Sequence, residues 1–168
     1  MKQFLDMIDD LLSKDAVREM ANFNQHSNVD TLLHSLHVSY TVYQVCRRLK
    51  IKPDDIVRAA FLHDFCLYDW HKQKSMLKHA LLHPKAVIRN IEKYHLPVNE
   101  YQKRMILCHM FPLAPFPNSV GGWILTFADK YCTCKEILGY KGNIYSKFTK
   151  ILKNSKMEET GGDYENSI

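Results

Sequence analysis

The chain has 168 residues, 46% of them apolar and 24% charged, proportions that exclude a disordered protein and supply one sizeable hydrophobic core. Its formal net charge of +5 suits an anionic substrate, but much of the lysine excess lies between Lys141 and Lys156, where a solvated helix face accounts for it. No basic run is interleaved with stacking aromatics, so a nucleic-acid surface is not expected.

Apolar positions recur every three or four residues without sustained alternation, which predicts an all-α, single-domain helical bundle of about seven or eight helices. No Pro/Gly/Ser-rich linker divides it. The domain is expected over residues 1–156 with its core at 28–140, followed by a flexible polar tail at 157–168. In the opening MKQFLDMIDDLL three aspartates interrupt any run that could be a signal peptide or a membrane span. The odd set of Cys46, Cys66, Cys108, Cys132 and Cys134 suits reduced, mostly buried thiols and a cytoplasmic setting better than a disulfide framework. Cys132 and Cys134 are two apart, a poor spacing for a metal-binding pair on a helix.

A first helix is predicted from Gln3 to Leu12. A longer one, with Ser27 and Asn28 as cap candidates, runs towards Lys50 and carries His34 and His37. Pro53-Asp54-Asp55 starts a helix that carries Phe61-Leu62-His63-Asp64 towards its end, since proline is tolerated in the first turn and the acids meet the positive end of the dipole. Tyr68 to Ser75 reads as a polar loop. A short segment over Met76 to Leu82 leads to His83-Pro84, and Pro84 opens a helix through Tyr94. Another helix is expected from Val98 to Met110, then FPLAPFPNSVGG as an irregular connection. A strongly apolar helix follows from Trp123 to Leu138, with Asp129 in its middle and Trp123 and Tyr131 packed in the core. A weaker helix covers Asn143 to Lys153.

The chemistry lies where polar residues interrupt apolar helix faces. His34 follows Leu32-Leu33, His63-Asp64 follow Ala59-Ala60-Phe61-Leu62, His109 follows Met105-Ile106-Leu107-Cys108, and Asp129 follows Ile124-Leu125-Thr126-Phe127-Ala128. Buried imidazoles and carboxylates are costly unless paired or ligating a metal, and no lysine or arginine stands among them as a counter-charge for Asp64. The His-Asp dipeptide alone carries little, because nine histidines and eleven aspartates in 168 residues give about 0.6 such pairs by chance. Its ordered companions carry the signal.

The order His34, His63-Asp64, Asp129-Lys130 resembles the HD superfamily of metal-dependent phosphohydrolases over about residues 28 to 140. In its two-metal members a histidine before a proline and a later helical histidine join the pattern, and His83-Pro84 and His109 fall in those places. The resemblance implies a ligand set of His34, His63, Asp64, His83, His109 and Asp129, with Asp64 bridging two divalent ions and so acting as the catalytic residue. His37 and His79 are rivals for His34 and His83. Members that open cyclic dinucleotides carry a lysine three residues after the HD aspartate and a Gly-Tyr-Pro segment after the later histidine. Here Leu67 and Met110-Phe111-Pro112 stand there, so that branch is not expected.

A nitrogen/oxygen donor set suits iron or manganese, with zinc, cobalt and nickel also accommodated. The implied reaction is attack by a metal-activated hydroxide on a phosphomonoester or phosphodiester of a small, nucleotide-like substrate. His71, Lys74 and Lys130 are the candidate substrate contacts. Two alternatives stay open: a mixed-valence diiron oxygenase of the inositol-oxygenase kind, and a non-catalytic module stabilised by metal. Assembly into a homo-oligomer is equally open.

Overall fold

A computed structural model describes residues 1–26, 29–67, 76–140 and 142–160. Among these residues the chain forms α1 (Lys2–Asp6), α2 (Asp9–Leu12), α3 (Asp15–Arg18), α4 (Thr31–Leu49), α5 (Asp54–Leu62), α6 (Met76–Lys93), α7 (Glu100–Cys108), α8 (Val120–Ile137) and α9 (Asn143–Thr160). A 3₁₀ turn at Glu19–Asn22 leads into a small antiparallel ribbon, β1 (Asn24–His26) with β2 (Val29–Asp30). The fold is all-α apart from this ribbon. No helix of the described residues is long and apolar enough to cross a membrane.

Helices α4, α5, α7 and α8 pack on one another around Leu36, Phe61, Leu62, Ile106 and Leu125, all of them buried. Three of the four, α4, α7 and α8, start with a side-chain capping hydrogen bond, and α5 starts after a proline. The Asp30 carboxylate accepts from the Leu33 amide at 2.8 Å and so begins α4. The expected cap candidates Ser27 and Asn28 lie outside the described residues, and Asp30 does their work. Pro53 precedes Asp54 and Asp55 at the start of α5. Asn99 and Gln102 form a reciprocal capping box on α7, and Ser119 accepts from Gly122 to begin α8. Helix α4 stops at Lys50, whose φ of 56° is left-handed and turns its amide back onto Arg47 and Cys46.

Several boundaries differ from the sequence expectation. The first helix is broken at Met7–Ile8, because the Arg58 guanidinium reaches the Met7 carbonyl at 2.9 Å and also pairs with Asp10. Pro84 does not open a helix but lies inside the continuous α6. His83, Val87 and Ile91, four residues apart and all buried, keep that face on the core, and packing outweighs the hydrogen bond a proline forfeits. Gly121 and Gly122 belong to α8 and not to the preceding connection. A Cβ on Gly121 would lie 2.6 Å from Met105 Sδ, so glycine is what lets this first turn approach α7. Helix α9 extends through Thr160, beyond both its expected end and the start of the expected tail, of which residues 161–168 lie outside the described residues. Tyr131 is 54% exposed and Trp123 half-buried, so neither packs in the core. All five cysteines are free; Cys134 is exposed and the other four are buried.

Candidate metal centre

His63 and His109 are positioned by the same local device. Each caps the C-terminal end of its helix, α5 and α7, in right-handed helical conformation. Each Nδ1–H donates to the carbonyl three residues back, Ala60 at 2.7 Å and Ile106 at 2.6 Å. A helix end leaves carbonyls without intrahelical partners, so the imidazole fills a vacancy there and has its tautomer fixed. Both Nε2 atoms therefore face inward, fully buried, with no hydrogen-bond partner among the described residues.

His34, in the first turn of α4, is oriented differently: its Nδ1–H donates to Glu136 Oε2 at 2.9 Å, which aims Nε2 at two carboxylates. That nitrogen lies 3.5 Å from Asp64 Oδ2 and 3.4 Å from Asp129 Oδ1. His63 Nε2 lies 3.3 Å and 3.5 Å from the same two oxygens. Four donor atoms, from His34, His63, Asp64 and Asp129, thus lie within 4.8 Å of one another. The second oxygen of Asp64 serves another group. Oδ1 is 2.7 Å from His83 Nε2 and 3.6 Å from His109 Nε2, and these three residues form a second donor cluster. Asp64 is shared, one oxygen to each side.

These spacings fit divalent ions. Ligand atoms about 2.1 Å from a tetrahedrally held ion stand about 3.4 Å apart, close to the edges of the first cluster. Buried, unsatisfied imidazole nitrogens are expensive in a core and inexpensive beside a cation. Two carboxylates and four imidazoles, with no thiolate among them, make a hard to borderline donor set.

The charges hold one another in place. Burial opposes ionisation of Asp64, but the adjacent His63 imidazolium and the other histidines hold its carboxyl well below the usual range. Asp129 is likewise pulled down, against burial, by His34 and His63. Burial works against charge on His34, and Asp129 and Glu136 outweigh it, raising the imidazole to about 9. His83 is raised to about 10, with Asp64 and then Cys66 overcoming burial. His63 is raised well above its ordinary value by Asp64 and Asp129. His109 is pushed down, chiefly by burial.

All six residues proposed from sequence as ligands come together. His37, the rival of His34, points elsewhere: its Nδ1 meets Tyr145 and Glu136. The side chain of His79 lies outside the described residues, as do His71 and Lys74. Lys130 stands beside the centre, with Nζ donating to the His109 carbonyl at 3.1 Å. Sequence reasoning missed three supporting groups. Gln25, from the ribbon, donates to Asp64 Oδ2. Glu136 holds His34, and Tyr145 of α9 donates to Glu136. Glu136 lies two helical turns after Asp129, so its shared face was readable from spacing; Gln25 and Tyr145 have no comparable signal.

An all-helical domain with a buried, shared-carboxylate cluster of histidines and aspartates defines a class of protein built to hold divalent metal. A family model described as HD domain matches residues 31–134, and the chain belongs to that family, whose members are generally hydrolases. No curated protein and no solved structure matches the chain. Gln25, Glu136 and Tyr145 all lie outside the matched segment.

Proposed function

We propose that the protein is a metal-dependent phosphohydrolase acting on a small phosphorylated, nucleotide-like substrate. The observation that carries this reading is the pair of buried nitrogens, His63 Nε2 and His109 Nε2, turned towards Asp64 with no hydrogen-bond partner among the described residues. On this reading His34, His63 and Asp129 would hold one ion, His83 and His109 would hold the other, and Asp64 would serve both. Divalent ions bound there would supply a water that ionises near neutral pH and would offset charge on phosphoryl oxygens.

The chain's own residues supply the rest. Two aspartates return two negative charges to a centre that would receive four positive ones, so the field at the centre favours an anionic group. Ala60, Ile106 and Glu136 fix three imidazoles in the tautomer a ligand needs. The proposed source of the leaving-group proton is His71, Lys74 or water, with Lys130 as a further substrate contact. A cytoplasmic setting accompanies the proposal, supported by five free cysteines.

The test is metal analysis of the purified protein, followed by a phosphoester screen with manganese, iron, cobalt, nickel or zinc restored. The expected result is more than one metal per chain and turnover of a mononucleotide or short phosphodiester, both abolished in His63→Ala and Asp64→Ala. Fewer than one bound metal after reconstitution would sink the two-metal reading. A loaded protein that consumes oxygen while leaving every phosphoester intact would replace hydrolysis with oxygenation.

A further inference from the structure

Between the outer faces of α4 and α8 lies a cavity of about 680 Å³ that none of the six candidate ligands lines. Its size falls within the range of small-molecule sites. Trp123, Phe127 and Tyr131 recur at one-turn intervals along α8 and form one wall, opposite Tyr40 and Val45 of α4. Phe127 is 62% exposed. Contiguous exposed aromatics of this kind mark a surface that something covers.

The charge around the cavity is of one sign. Arg48 and Lys135 border it, and no acidic residue among the described residues lines it. Lys135 Nζ sits 5.2 Å above the Tyr131 ring, and neither cation has a carboxylate partner among the described residues. A polar group also waits at the inner end. His37 lines the cavity and is only 4% exposed. Its Nδ1 is committed to Glu136 and Tyr145, which leaves Nε2 without a partner among the described residues.

We propose that this cavity binds a small anionic amphiphile, its apolar or aromatic body against Trp123, Phe127 and Tyr131 and its carboxylate, sulfonate or phosphate head held by Arg48 and Lys135. An apolar wall selects the body by burial, and the positive charge of Arg48 and Lys135 at the rim selects the head. This site is independent of the proposed hydrolysis.

The probe is anilinonaphthalene sulfonate, an aromatic body with one anionic head, with decanoate and its neutral counterpart decan-1-ol as competitors. Saturable fluorescence at one site per chain is expected, displaced by decanoate and much less by decan-1-ol. Because Phe127 is exposed, Phe127→Asp should fold normally and abolish probe binding. Arg48→Ala with Lys135→Ala should weaken decanoate about tenfold, as loss of a charge-assisted contact does, and leave decan-1-ol unchanged. Unsaturable probe binding, equal displacement by the alcohol, or an unchanged decanoate affinity in the double variant would overturn the proposal. So would sedimentation as a dimer that Phe127→Asp splits, since a second copy would then cover the groove. Binding to phosphatidylglycerol vesicles without displacement by free decanoate would overturn it too, giving the face to a lipid surface.

Discussion

One carboxylate, Glu136, receives hydrogen bonds from His34 Nδ1, His37 Nδ1 and the Tyr145 hydroxyl in a fully buried position. Burial would raise its pKa, but His34 and then His37 outweigh that and hold it at about 2, so it is a fixed negative charge behind a candidate ligand histidine. Replacing it with glutamine keeps the shape and removes the charge. Glu136→Gln is expected to weaken metal affinity about 10–100-fold with helicity retained, as measured against a competing chelator. A second outcome concerns protons. With His34 at about 9 and His83 at about 10, both imidazoles are protonated near pH 7 when no ion is held. A cation must displace those protons, so affinity rises with pH through the neutral range and binding releases protons. Calorimetry in buffers of different ionisation enthalpy reads this, and proton-neutral binding at pH 7 would contradict it. Five of the six central residues were legible in the sequence because each interrupts an apolar helix face, as His109 does after Ile106-Leu107-Cys108; His83 was reached only through the family resemblance, by the proline that follows it. Gln25 was not legible, because a ribbon of one three-residue and one two-residue strand carries no periodic signal.

At the scale of elements, the close approach of α8 to α7 depends on Gly121. Gly121→Ala forces a methyl group towards Met105 Sδ and Ile56 Cγ1, and is expected to cost about 1–3 kcal/mol of stability in chemical denaturation. Because Asp129 rides on the same helix, the variant should also lower metal affinity. Unchanged stability would show that the methionine simply swings aside. The core helices α4, α5, α7 and α8 were readable from their apolar period, and the start of α5 also from Pro53-Asp54-Asp55, whereas the caps Asp30, Asn99 and Ser119 were not read. The breaks were not readable. Whether Pro84 ends a helix is decided by the burial of Val87 and Ile91, and whether α1 runs into α2 by a guanidinium from Arg58, distant in sequence. Both are tertiary effects, which local pattern does not contain.

For the whole molecule, a candidate centre assembled from α4, α5, α6, α7 and α8 would tie metal binding to the fold. An ion that binds only the folded chain adds about 4 kcal/mol when its free concentration is a thousandfold above its dissociation constant. Thermal melting should therefore shift upward on adding metal and fall back with a chelator, and a melting temperature indifferent to both would argue against the proposed centre. The shared position of Asp64, with one oxygen towards His34 and His63 and the other towards His83 and His109, has a consequence in time as well. Its partners come from distant parts of the chain, so the full donor set exists only after the bundle has docked, late on the path to the native state. Metal should leave the folding rate almost unchanged and slow unfolding instead, so that the loaded protein is lost over a much longer half-life than its refolding rate would suggest.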